Sequence, residues 1–223
     1  FGAGNYSINI KNSSGIIKTL YFFDSGDYAF GVKRQDIGTE KRCYDHVHDD
    51  QLEWYKNEVK KNKADSIAFL HIPLKEYWTA YRLSLLPFYC FNKLFGNNYE
   101  KPCSSDMPDN TFKTFKECKS TKLVVAGHDH KNDSCIKYHG IKLMYSQGLQ
   151  YDGAYNRRKK NPPLFRRLYK LGFKCYVEGV SVFDLNKKKI RITPVYAEKE
   201  EVFYGLEKYY KRAWLEDAPI KRK

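Results

Sequence analysis

The sequence predicts an α/β fold, and three observations carry the prediction. Short apolar, β-branched runs such as Leu123-Val-Val-Ala126 read as buried strands. Stretches with helical periodicity and acidic or amide caps stand between those runs. The 223 residues are enough to bury a sizeable core as one domain. Strands mixed with helices along one chain point to a layered α/β architecture.

Taken in order, Ile17 to Phe23 is mostly apolar and predicts a buried strand, ended by the turn Asp24-Ser-Gly-Asp27. Asp49 or Asp50 can cap a helix running to about Lys63, with Leu52, Tyr55 and Val59 as its apolar stripe and Trp54 beside it. Ile67 to Leu70 is a short strand that ends at His71 and is stopped by Pro73. Leu83 to Phe95 is the most apolar window, too short to span a bilayer as a helix and interrupted by Pro87 and Lys93; it predicts a buried or lid segment. Asp109 or Asn110 can cap a helix through Cys118, and Leu123 to Ala126 follows as a strand. Ile136–Tyr138 and Ile141–Tyr145 read as a hairpin across His139-Gly140. Val177–Asp184 and Lys189–Tyr196 read as a second hairpin, turning at Asn186.

The strand ending at Gly127 carries the chemistry. A buried strand that stops at a glycine delivers the next side chains to the sheet edge, where ligand sites form. Those side chains here are His128 and His130, one residue apart, with Asp129 between them. Neutral imidazole is the commonest protein metal ligand. An isolated His-x-His is usually a surface pair; the strand and glycine before this one strengthen it. His71 also stands at a strand end. Asp129 can orient an imidazole through a hydrogen bond or serve only as a turn residue. His46 and His48 form a second His-x-His among acids, read as a polar helix entry, and His139 falls in a solvated hairpin turn.

Lys122 to Asp133 resembles the last metal-binding motif of the calcineurin-like metallophosphoesterases, in the branch related to purple acid phosphatases. Matching segments occur in order: Gly4-Asn-Tyr-Ser-Ile-Asn9, Leu20 to Tyr28, Gln51-Leu-Glu-Trp54, Ala68 to Tyr77, Asn110-Thr-Phe112 and Gly140 to Tyr145. The resemblance covers roughly residues 2 to 155, and a weaker echo follows Cys175. It implies a β-sandwich flanked by helices, of which this chain supplies about half. It also implies a binuclear centre of Fe, Zn or Mn, in which His71 and His128 bind one metal and His130 the other. The family's Asp-x-His, bridging-aspartate Gly-Asp and Gly-Asn-His motifs are not recognised here. Asn5 is followed by Tyr6, and Asp24 and Asp27 belong to the matched turn and are taken as structural. The expectation is therefore a C-terminal part of a metallophosphoesterase domain over residues 1–198, incomplete at its N-terminus, with a charged tail or helix over 199–223. The implied activity is phosphate-monoester hydrolysis once the N-terminal half is present, the fragment alone being inactive. The alternatives are a non-catalytic basic binding domain that keeps the fold, and a nucleic-acid phosphodiesterase.

Net charge is +14, from 40 basic and 26 acidic residues, which favours anionic partners: a phosphorylated substrate such as a phosphoprotein, an anionic membrane surface, or nucleic acid. A lysine-rich proteome would give the same balance. The charge concentrates in a basic insertion over 153–175. Between Asp152 and Glu178 no acidic residue interrupts Arg157, Arg158, Lys159, Lys160, Arg166, Arg167, Lys170 and Lys174. That stretch reads as a solvated segment or as a substrate-steering collar, with Arg157 to Lys160 at its centre. None of the six cysteines forms Cys-x-x-Cys, which argues against a zinc ribbon or a thioredoxin-type site. Cys90 with Cys103, or Cys103 with Cys118, are local enough to pair. The compartment stays open.

Overall fold

The structure is a computed structural model and describes residues 4–29, 43–146, 179–185 and 190–196. Its centre is a seven-stranded mixed sheet. The strands and helices follow in chain order: β1 (Tyr6–Asn12), β2 (Gly15–Phe22), the short pair β3 (Tyr28–Ala29) and β4 (Cys43–Tyr44), α1 (Asp49–Asn62), β5 (Ser66–Leu70) and α2 (Glu76–Ser84). Then come β6 (Lys93–Phe95), α3 (Thr111–Cys118), β7 (Thr121–Ala126), β8 (Cys135–Tyr138), β9 (Ile141–Tyr145), β10 (Gly179–Asp184) and β11 (Arg191–Tyr196). The sheet order is β1-β2-β5-β7-β9-β8-β6. Strands β2, β5, β7 and β9 run parallel, and β1, β8 and β6 close the edges antiparallel.

Parallel strands are buried on both faces, and the period of two sorts their side chains into two cores. On the helix side lie Tyr21, Ala68, Leu70, Val124, Ala126, Leu143 and Tyr145, packed against Leu52 and Tyr55 of α1, Tyr77 and Ala80 of α2, and Phe112 and Phe115 of α3. Their sequence neighbours Ile67, Leu123, Val125 and Met144 face the other way, with Ile190 and the partly buried Phe183, Leu185 and Ile192 of the β10–β11 segment packed over them. The α/β reading therefore holds, and the second face of the sheet is covered by β structure.

Helix α1 begins one residue before the expected caps: His48 is its N-cap, and Gln51 Oε1 accepts the His48 backbone N–H. Asn110 caps α3, while Asp109 Oδ1 accepts the Thr111 amide at 2.7 Å. The β8–β9 hairpin turns where expected, with His139 and Gly140 both at positive φ, as a two-residue turn requires. The sequence reading missed β1, α2 and β6. For Leu83–Phe95 the buried alternative is corrected: Leu85, Leu86, Phe88, Tyr89, Phe91 and Leu94 are exposed. Pro87 sits in the turns between α2 and edge strand β6. Neither of the two local cysteine pairings forms. Cys43, Cys90, Cys103, Cys118 and Cys135 are free thiols. The Cys90 thiol bonds Pro87 O, and the Cys103 thiol bonds Lys101 O. Cys175, Asn186, the basic insertion with Arg157 to Lys160, and the tail 199–223 lie outside the described residues.

Candidate metal centre

The carboxyl ends of the parallel strands converge on one pocket of about 330 Å³. Gly26, Asp27 and Tyr28 come from the turn after β2, His71 and Ile72 from the end of β5, and His128, Asp129 and His130 from the end of β7. Tyr44, Glu100 and Cys103 complete the wall. Loops at the carboxyl ends of parallel strands are where α/β sheets build ligand sites. All three histidines singled out from the sequence are thus brought together. The rings of His71 and His128 stand 5.2 Å apart, and Tyr44 meets His128 edge-on at 4.5 Å.

The local chain path explains the placement. Gly127 N–H bonds the carbonyls of Leu70 and His71, fastening the end of β7 to that of β5. A side chain at 127 would meet His71: an ideal Cβ there lies 3.2 Å from Nδ1. The chain then reverses, with His128 in the left-handed region at φ 68°. Such a conformation is costly for a residue with a side chain and is held by its surroundings. Asp129 supplies the hold. It is only 4% exposed, accepts the Tyr145 hydroxyl at 2.7 Å and the Cys103 amide at 3.1 Å, and lies 3.4 Å from His128 Nδ1. With Nδ1 turned to the carboxylate, Nε2 is the ring atom of His128 left for a ligand.

Two polar hubs brace the pocket, and the sequence reading assigned roles to neither. Ser25 Oγ accepts the amides of His71 and Ile72, so the Asp24–Asp27 turn positions the His71 strand end. Asn5 Oδ1 accepts the Asp24 amide and the buried Gln51 side-chain amide, which also donates to Asp24 O. On the opposite side, Asn132 and Asp133 pin residues 97–100: Asn132 Oδ1 accepts the Tyr99 and Glu100 amides, and Asp133 Oδ1 accepts the Asn97 amide. Gly96 is required there, since its Cβ would stand 2.2 Å from Asp133 O. The sequence signal for this hub was the run of short polar residues Asn132-Asp133-Ser134 that follows Lys131.

Burial first, and then the neighbouring His128 and His130 rings, push the His71 pKa below its ordinary value. The effect is to keep the imidazole lone pair free for a ligand. Tyr145 is pushed well above its ordinary value, by burial and then by Asp129, and remains a hydroxyl donor. The donor set fits metal ions in part. Three imidazoles share the pocket with Asp27, but among the described residues they do not converge on one point. Within the pocket, the group with all ligand atoms within 4.8 Å of one another is Cys103, His128 and Asp129.

A mixed sheet delivers histidines from the carboxyl ends of two adjacent parallel strands into one pocket. The chain is related to the calcineurin-like metallophosphoesterases, through relatives that carry the purple acid phosphatase name. It is 31% identical to probable inactive purple acid phosphatase 14 of Arabidopsis thaliana, over 68% of this chain and 39% of that protein. It is 28% identical to probable inactive purple acid phosphatase 29 of the same plant, over 84% of this chain and 46% of that protein. Phosphatase DCR2 of Saccharomyces cerevisiae is 29% identical over 61% of this chain and 23% of that protein. A dimetal phosphatase from Danio rerio aligns in structure over 65% of this chain and 49% of its own, with 12% identity and a TM-score of 0.42. No protein-family model matches. The chain spans less than half the length of these curated relatives.

Proposed function

We propose that this chain supplies the histidine-bearing half of a binuclear metal centre that hydrolyses phosphate monoesters in the full-length protein carrying it. One observation carries the reading: His71, His128 and His130 leave the ends of two adjacent parallel strands into one pocket. In this reading His71 and His128 hold one ion and His130 the other. Bound divalent cations of the Fe, Zn or Mn class supply Lewis-acid stabilisation and a nucleophile from water at neutral pH. The chain's own residues do the positioning. Ser25 fixes the His71 backbone, Asp129 turns His128, and Tyr145 with the Cys103 amide holds Asp129. The basic segment Arg157, Arg158, Lys159 and Lys160 steers a phosphorylated substrate such as a phosphoprotein toward the pocket.

A second reading, phosphate binding without turnover, is favoured by Asp129. That carboxylate stands between the histidines but is committed to Tyr145 and Cys103. Two relatives named as probable inactive phosphatases support the same reading.

The test is hydrolysis of an aryl phosphate by the full-length protein with added Mn or Zn, with a bis-aryl diester in parallel. His128→Ala and His130→Ala are each expected to abolish most turnover, and His139→Ala to leave it. Equal loss in all three at unchanged folding would overturn the ligand assignment. Phosphate binding without hydrolysis would select the second reading, and preference for the diester would point to a phosphodiesterase. The 223 residues alone are expected to fall below the usual range of about 1 to 1,000 turnovers per second.

A further inference from the structure

The second His-x-His lies outside the pocket. Val47 between its histidines is buried, 2% exposed, which turns His46 and His48 to the same side. Their rings stack at 4.7 Å. Asp45 closes the group: His48 Nε2 stands 3.0 and 3.1 Å from its two carboxylate oxygens, and His46 Nδ1 stands 3.2 Å from Oδ1. One ligand atom from each residue lies within 4.8 Å of the others.

His46 Nδ1 points to a missing partner. It is buried and has no hydrogen-bond partner among the described residues, because its approach to Asp45 is not aligned for one. A buried polar atom left unpaired costs free energy, and one cation at the shared focus would satisfy it together with the carboxylate and His48. Asp45 is held in place for this. Its amide donates to Asp27 O at 3.1 Å, its Oδ1 accepts the His46 amide at 2.9 Å, and its side chain lies over Gly26. Gly26 has φ +68°, and a Cβ there would stand 2.5 Å from Asp45 Oδ2, so the carboxylate has room only because residue 26 is glycine. Helix α1 starts directly after, and its positive end disfavours a cation; Asp49 and Asp50 in its first turn offset that.

We propose that Asp45, His46 and His48 bind one divalent transition-metal ion of the zinc class, separate from the ions of the pocket. Two imidazoles and a carboxylate are a zinc donor set, and ligands about 2.0–2.1 Å from a tetrahedral zinc stand roughly 3.3 Å apart. The Asp45–histidine separations already match that spacing. Water completes the fourth position. The ion braces the pocket wall, because Asp45 follows Tyr44, whose ring packs against His128 and stacks on Tyr28 at 5.2 Å.

The test is equilibrium dialysis of the 223-residue chain against Zn(II) alone at neutral pH. Its variants are His46→Ala/His48→Ala, Asp45→Asn, and His71→Ala/His128→Ala/His130→Ala, with circular dichroism on each. The His46/His48 variant is expected to lose one zinc equivalent that the triple variant retains. Asp45→Asn, which keeps the residue's size, is expected to weaken that equivalent by about tenfold or more. Unchanged zinc content in the His46/His48 variant, or loss of the same equivalent in the triple variant, would overturn the proposal. If the double variant loses its fold, Asp45→Asn with the single change at half-exposed His48, His48→Gln, decides: unweakened zinc binding in both refutes the site. The zinc count does not depend on phosphatase activity, so it stands or falls apart from the function proposed for the pocket.

Discussion

Replacing Tyr145 by Phe removes one hydroxyl and leaves the ring in place against Tyr77, whose centroid is 4.9 Å away. Tyr145 is fully buried, and its hydroxyl donates at 2.7 Å to Asp129, itself 4% exposed. A hydrogen bond to a charged acceptor contributes about 1.5–3 kcal/mol, and the phenylalanine ring cannot replace it. The expected destabilisation is therefore about 2 kcal/mol, a fall in Tm of roughly 4–8 °C for a domain of this size. Urea unfolding of wild type, Tyr145→Phe, Asp129→Asn and the double variant measures it. In the Asp129→Asn background the Tyr145 change should cost only about 1 kcal/mol, the value for a neutral bond. A Tyr145→Phe loss below about 0.5 kcal/mol in the wild type and in the Asp129→Asn background alike would show that Asp129 is not held by Tyr145. The positioning argument for His128 would then fail.

Gly127→Ala should push the His71 ring by a few tenths of an ångström, lowering zinc or manganese affinity of the pocket about tenfold at a stability cost of ~1 kcal/mol, read by metal titration and urea unfolding. Burial, followed by the nearby Asp109 charge, raises the Glu76 pKa, opposed by a hydrogen bond from its own backbone and by Lys75. The folded state therefore holds that proton more tightly than the unfolded one, so stability is fully present below about pH 4.5 and lost as pH rises through the folded value. Glu76→Gln should flatten that decline, which a series of urea curves across pH 4 to 7 checks; an unchanged slope would remove Glu76 as its cause. Neutralising Arg157, Arg158, Lys159 and Lys160 together should lower kcat/KM on a phosphoprotein in the full-length protein with kcat little changed. That effect should shrink as salt rises and the Debye length falls below about 8 Å; a salt-independent loss would mean that the stretch shapes the site directly.

The sequence made the site legible where local pattern determines geometry. A β-branched run ended by Gly127 can only deliver His128 and His130 to a strand end, and the same logic placed His71 before Pro73. The start of α1 was displaced by one residue, because a cap such as His48 acts through its backbone as well as its side chain, whereas Asn110 caps α3 as expected. Edge strand β1 was missed although Tyr6, Ile8 and Ile10 alternate with polar residues, the period of a half-buried strand. The apolar Leu85–Phe91 stretch misled, since hydrophobicity alone does not reveal that its large apolar side chains are exposed. Least legible were the long-range polar hubs. Asn5 and Gln51 meet across 46 positions and Asn97 and Asp133 across 36, and no local periodicity encodes such pairs.

Anomalous diffraction from crystals of the chain loaded with zinc tests whether His71, His128 and His130 hold metal. The expected result is anomalous density in the pocket about 2.0–2.1 Å from imidazole nitrogens, with His71 and His128 on one peak and His130 on another. Zinc confined to Asp45, His46 and His48, with the pocket histidines bonded only to protein, would contradict it.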